Sequence, residues 1–367
     1  MSVLASLLLA TALATVPTPA TTSAPAAPPA ADTLMDIPPE LHHLLQQRVV
    51  RRSQSEPERL QRLVALMFDP DGLALQYGAS DTHSVADSYA TRRINCLSFT
   101  LMFVALARDV GLDARAQEVA GVISWYEKDG LAYSNGHVNA RVRMDGRSIT
   151  ADLDSSIQAD RRGPRTIPDR RLFAHYYNNR AAELMAEGRN DEARGYFQAS
   201  LRSDATLADT WNNLGLLDAR TGALTTAAGD YDRALALEPQ HVAALGNALN
   251  LFRRLGDEVH AGMLLVRLQQ VHAHDPFHQY TLGTEAERNG RYADAMRYYA
   301  SAIKLYPEAH QFHFGLARVA FLSGDLALAD RELRTARSLG PPDEQQRYQA
   351  KLDGLQRLSQ QTASLQP

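Results

Sequence analysis

Between Cys96 and Ala107 almost every residue is apolar, with Ser98 and Thr100 the only hydroxyls. A helix of that composition has no solvent face and belongs at the centre of its domain. Two amphipathic helices are expected ahead of it, over Pro38 to Arg52 and Pro57 to Phe68. In the second, Leu60, Leu63, Val64, Met67 and Phe68 recur at helical spacing behind Pro57 near the first position. Asp69-Pro70-Asp71-Gly72 ends that helix, because the residue before proline is pushed out of the α region. Gly78 to Thr91 reads as a polar connection leading to the cysteine.

Beyond Gly111 the period changes from helical to alternating. A strand carrying Val119, Val122, Ile123, Trp125 and Tyr126 is expected, then a turn at Lys128-Asp129-Gly130. Val138, Ala140, Val142 and Met144 next alternate with His137, Asn139, Arg141 and Arg143. Asp145-Gly146 is the strongest two-residue hairpin signal. A two-residue loop there pairs Val142 with Ile149, Ala140 with Ala151 and Val138 with Leu153. The opposite face then holds His137, Asn139, Asp152 and Asp154 together, with Asp154 directly across from His137 and Asp152 its diagonal neighbour, so either carboxylate is within reach of the imidazole.

From Ala174 the chain is self-similar with a period of 34 residues. Trp211-Asn212-Asn213-Leu214-Gly215, Ala227, Tyr231, Ala234 and Pro239 form one unit. Leu282-Gly283, Ala295, Tyr299, Ala302 and Pro307 form a second, and Leu316-Ala317, Ala329, Leu333, Ala336 and Pro341 a third. This is the tetratricopeptide pattern, in which each helix pair buries its apolar face only by stacking on a neighbour. Weaker units carry Tyr177, Ala181, Ala193, Phe197 and Ser200, and Leu245, Ala261 and Leu265. The latter is read with about three extra residues before Asp275-Pro276. Five repeats over 174–342 are expected, followed by a capping helix and tail over 343–367. His272, His274, His278, His310 and His313 cluster in two repeats, and surface histidines are the expectation rather than a metal site.

The composition describes a globular protein: 45% apolar residues and a net charge of −4 offer nucleic acid no basic surface. Met1 to Ala14 is almost wholly apolar and ends in Ala12-Leu13-Ala14. That run is too short to span a bilayer and matches the core of a secretory signal, though it lacks a basic start. Val16 to Asp32 is a Pro/Ala/Thr-rich linker, so 1–36 is set apart from a domain over 37–173. Export to a periplasmic or extracellular space is the expectation, with a cytoplasmic protein as the alternative and no stable membrane anchor in either case.

Cys96 is the only cysteine, so no partner for it exists within the chain. It sits just after a residue that can cap a helix, where unpaired N–H groups and the macrodipole favour a thiolate. A histidine can pair with that thiol and a carboxylate can orient the histidine, the logic of acyl transfer through a thioester. A buried structural cysteine is the competing reading.

Residues 90–155 resemble the transglutaminase-like (papain-like) superfamily core. Cys96, Ala105, Arg108 and Gly111-Leu112-Asp113-Ala114-Arg115 follow its cysteine helix and exit in order and spacing. Gly136-His137 matches its Gly-His, and Asp145-Gly146-Arg147 followed by Asp152 matches its turn and aspartate. Asn95, Asp113 and Asn139 replace the family's usual glycine, proline and aromatic. The resemblance implies a catalytic set of Cys96, His137 and Asp152, and it ranks Asp152 above Asp154. For the oxyanion only the backbone N–H of Cys96 is a candidate.

The fold expected is therefore an α+β domain of the transglutaminase-like or papain-like kind, a central helix on an antiparallel sheet, followed by an all-α solenoid. The function expected is hydrolysis or cross-linking at amide or peptide bonds, the repeats binding a protein or peptide. An inactive domain serving with the repeats as an interaction scaffold is the alternative. No metal or organic cofactor is implied.

Overall fold

The computed structural model describes residues 27–78, 82–119, 127–128, 131–132, 137–153 and 163–364. The signal-like stretch and the strand residues Val122 to Tyr126 lie outside the described residues.

Helix α1 (Pro39–Arg48) is followed by a single 3-10 turn over Val50–Arg52, so the expected first helix is shorter than its apolar pattern. Helix α2 (Glu56–Phe68) starts where Ser55 accepts a hydrogen bond from the Glu58 N–H. Its buried stripe is Leu63, Leu66 and Met67, whereas Val64 and Phe68 are exposed. At Gly72 the chain doubles back so tightly that a Cβ would stand 2.2 Å from the Leu66 carbonyl oxygen.

Strand β1 (Gln76–Tyr77) pairs in parallel with β2 (Arg93–Ile94). Between them lies a helix where the sequence reads as a polar connection: α3 (Val85–Thr91). Ser84 accepts from the Asp87 N–H and donates to the Asp87 carboxylate, and this reciprocal cap overrides the lack of apolar periodicity.

Helix α4 (Cys96–Asp109) is the core, with every residue from Leu97 to Ala107 buried. It packs against the antiparallel sheet of β3 (Asp113–Val119), β6 (His137–Met144), β7 (Arg147–Ala151) and β8 (Arg165–Thr166), ordered β7-β6-β3-β8. Separately, β4 (Glu127–Lys128) pairs antiparallel with β5 (Leu131–Ala132), while Asp129 and Gly130 of the expected turn lie outside the described residues.

The expected linker is only partly a linker. Within its described end the Pro29 carbonyl accepts a hydrogen bond from Tyr177 Oη at 2.6 Å, and just beyond it the Val85 N–H donates to the Leu34 carbonyl. Proline and alanine need no side-chain entropy to be ordered, so a groove suffices to hold them.

The remaining helices are α5 (Asp169–Ala186), α6 (Asn190–Ser203), α7 (Ala208–Arg220), α8 (Leu224–Leu237) and α9 (Val242–Arg254). They continue as α10 (Glu258–Ala273), α11 (Pro276–Arg288), α12 (Tyr292–Leu305), α13 (His310–Leu322), α14 (Leu326–Leu339) and α15 (Pro342–Ser364). Helices α5 to α14 pack as five successive pairs with α15 against α14. Each pair turns on a glycine of positive φ, at Gly188, Gly222, Gly256, Gly290 and Gly324. Those glycines are 34 residues apart throughout, and so are the starts of α7, α9, α11 and α13. The third repeat therefore carries no inserted residues; α10 merely runs on to Ala273 at the expense of the connection to Pro276.

Helix α5 straddles the expected boundary at Ala174. Its first turns are fastened to the α+β part: Asp169 receives two hydrogen bonds from Arg108, and Glu118 on β3 receives Arg171 and His175. Burial disfavours the Glu118 carboxylate, yet these donors together with Arg165 hold it well below the usual carboxylate range.

Candidate active site

Cys96 is the first residue of α4 and is partly exposed. Asn95 caps the helix, its Oδ1 accepting from the Ser98 N–H at 2.8 Å. No acidic residue occupies the first turn, so nothing there offsets the positive end of the helix. The Asn95 Nδ2 donates to Thr82 Oγ1 at 2.9 Å. Farther along, Thr100 Oγ1 donates to the carbonyls of Cys96 and Val138, tying the helix start to β6.

The hairpin has the register read from the sequence over its ladder, with Ala140 opposite Ala151 and Val142 opposite Ile149. Asp145 and Gly146 have φ of 48° and 74°, the pair of positive values that a type I′ turn needs. The ladder stops at Ala151, so the expected rung between Val138 and Leu153 is not formed. β7 is an edge strand with its side chains mostly in solvent, Ile149 among them, and little holds the pairing beyond that point.

Just past the last rung, Asp152 turns its Oδ2 to His137 Nε2 at 2.7 Å. Asn139 Nδ2 donates to the same oxygen at 3.0 Å. With Nε2 on the aspartate, Nδ1 is the ring nitrogen left for Cys96, and the thiol does interact with the ring. His137 is buried, which disfavours its charge; the bond from Asp152 and then the contact with Cys96 outweigh this and raise it to about 9. The structure thus brings Cys96, His137 and Asp152 together, while Asp154 lies outside the described residues.

Asn139, which the sequence places on the hairpin face of His137 and Asp152 without giving it a role, is the second donor to Asp152. Its position two residues from His137 on the same hairpin face was the available signal. Gln117 stands opposite Asn139 in the register of β3 and β6 and is buried with it. Among the described residues the side-chain oxygens of both amides lack a partner.

The clustered histidines serve the solenoid, and His310 and His313 are buried in it rather than at the surface as expected. His272 and His278 stack at 3.8 Å, His310 bonds to Tyr348, and His313 bonds to Glu332 and the Pro307 carbonyl. Among the described residues no group of three potential metal ligands assembles, and no helix is long and apolar enough to cross a membrane.

The tetratricopeptide repeat family profile matches residues 178–242 and 280–344. No curated protein matches the chain. Similar solved structures include MamA from Desulfovibrio magneticus RS-1, 20% identical, covering 45% of this chain and 94% of its own at a TM-score of 0.26. Another is YrrB, described as a repeat protein with an unusual peptide-binding site, 16% identical with coverage of 46% and 87% and a TM-score of 0.26. A third is pilF of Pseudomonas aeruginosa, 16% identical with coverage of 47% and 79% and a TM-score of 0.28. The C-terminal helices of this chain are a solenoid of tetratricopeptide repeats, a fold of protein–protein interaction.

Proposed function

We propose that the chain is an exported cysteine acyl-transfer enzyme of the transglutaminase-like kind. Cys96 is the nucleophile, His137 the acid and base, and Asp152 its orienter, with a protein or peptide held by the repeats. The observation that carries this reading is the 2.7 Å bond between His137 and Asp152 beside a partly exposed cysteine that opens a buried helix. A protonated imidazole next to a sulfur at a helix start is the setting in which thiolates persist. The thiolate attacks an amide carbonyl and forms the C–S bond. His137 gives its Nδ1 proton to the departing amine as the C–N bond breaks, leaving a thioester. Water or a second amine, deprotonated by the same nitrogen, then displaces Cys96. The backbone N–H of Cys96 is the candidate donor to the oxyanion.

Titrating Cys96 with iodoacetamide against pH tests this. Alkylation that proceeds below pH 7 is the expected result. A thiol that reacts only above about pH 8, as a free cysteine does, leaves a scaffold built on an inactive domain as the better account. A burst of p-nitrophenolate from p-nitrophenyl acetate, lost in Cys96→Ala at unchanged thermal midpoint, is the positive counterpart. Export rests on the apolar run Met1 to Ala14, and N-terminal sequencing of the mature periplasmic protein tests it. An intact Met1 found in the cytosol would overturn it.

A further inference from the structure

We propose that Glu183, on the first repeat helix α5, is a positioning residue for Cys96, acting through Thr82 and Asn95. This rests on the reading of Cys96 as a nucleophile. The geometry is a chain of hydrogen bonds with only one possible direction. Thr82 Oγ1 donates its single proton to Glu183 Oε1 at 2.7 Å, and the Thr82 N–H donates to the same oxygen at 3.1 Å. A carboxylate can only accept, so the Thr82 hydroxyl has just its lone pairs left to offer Asn95. It therefore accepts from Asn95 Nδ2, at 2.9 Å. The Asn95 amide is thereby oriented with Oδ1 toward the Ser98 N–H, the one orientation that caps α4. Reversed, the amide would point hydrogens at a hydrogen and the helix start would lose its cap.

Both relay residues of the α+β part are buried, Thr82 at 3% and Asn95 at 8% exposure, so the relay is part of the packed structure around the start of α4. Arg180 secures the other end, donating to Glu183 Oε2 at 2.6 Å. The adjacent His83 N–H donates to Ser98 Oγ at 2.7 Å and fixes the same segment to the first turn of α4. The relay is also open to the repeats. A cleft of about 810 Å³ is bordered by Thr82, His83, Asp87, Arg180, Glu183 and Tyr196.

The test is the pH profile of Cys96 alkylation by iodoacetamide in the full chain, with thermal midpoints measured alongside. Glu183→Ala is expected to move the profile to higher pH and slow alkylation at pH 6 by about fivefold, the equilibrium weight of one helix cap. Thr82→Val, which leaves the repeat helix intact, is expected to give the same shift, and the double variant no more. Glu183→Gln keeps an acceptor for Thr82 while losing the ion pair with Arg180, and is expected to restore the native profile. An unchanged profile in Glu183→Ala and Thr82→Val, with only the midpoints lowered, would reduce Glu183 to a structural strut and overturn the proposal. A native Cys96 that already behaves as a free thiol overturns the nucleophile reading and this proposal with it. Low-pH reactivity retained in every variant overturns this proposal alone.

Discussion

His137 Nε2 and Asp152 Oδ2 are 2.7 Å apart, and Asn139 places a second donor 3.0 Å from the same oxygen. The carboxylate is thereby held by two neighbouring side chains of one strand, and its charge faces the imidazole. That bond opposes the cost of burying His137 and raises it from 6.5 to about 9. A group raised in the folded state stabilises the protein fully below its unfolded value and loses that contribution as pH climbs through the folded one. His137 should thus contribute on the order of 3 kcal/mol below pH 6.5, lost between pH 6.5 and about 9. Nuclear magnetic resonance titration of His137 and urea unfolding from pH 6 to 10 check this. In Asp152→Asn the titration should fall toward 6.5 and most of the pH slope should vanish.

Asn95 serves both as cap and as donor to Thr82. Replacing it by alanine removes the cap of the most buried helix and leaves the Thr82 hydroxyl one donor short. Urea unfolding of Asn95→Ala should show a loss of about 1–3 kcal/mol, more than an exposed cap would cost. Asn95→Asp keeps the cap acceptor but sets a carboxylate against Thr82 Oγ1, so it should recover only part of the loss.

Two repeat glycines answer differently to the same substitution. A Cβ at Gly283 would lie 2.7 Å from the ring of Tyr299, which is fully buried and cannot retreat. Gly283→Ala should therefore cost about 1–3 kcal/mol of overpacking. Gly246, inside α9, has nothing within 4 Å of the added carbon. Gly246→Ala should raise stability by about 0.5–1 kcal/mol through helix propensity and unfolded-state entropy. Thermal midpoints of the two variants should move in opposite directions.

The Asp230 carboxyl on α8 faces that of Asp218 on α7, and Arg194 donates to Asp218. Burial first, and then the neighbouring carboxylate, push Asp230 from 3.8 up to about 7. A raised acid favours the fold at low pH and loses that advantage between about pH 4 and 7. Asp230→Asn supplies a donor that never ionises, so it should stabilise the protein by about 1–3 kcal/mol at pH 8 and have little effect at pH 4. Equal stabilisation at both pH values would show that the two carboxylates do not share a proton.

What the sequence determined by itself is whatever its periods encode locally. The run from Leu97 to Ala107 has no polar face, so its burial followed without any knowledge of its neighbours. Asp145-Gly146 specifies a type I′ turn, and a turn of fixed length sets the register that puts Ala140 opposite Ala151. The repeat period was equally legible, although the glycines of positive φ from Gly188 to Gly324 count it more faithfully than the apolar positions that suggested an insertion. Helix α3 has no hydrophobic stripe to announce it, since its signal lies in the Ser84–Asp87 cap. Tertiary structure alone decided the rest. The ladder ends at Ala151, one rung short of the expected pairing, and Asp152 meets His137 just beyond it. Likewise, the bond between Thr82 and Glu183 joins residues 101 positions apart. No local pattern announces such a contact, because it exists only once α5 has docked beside the start of α4 and brought a carboxylate to a buried hydroxyl.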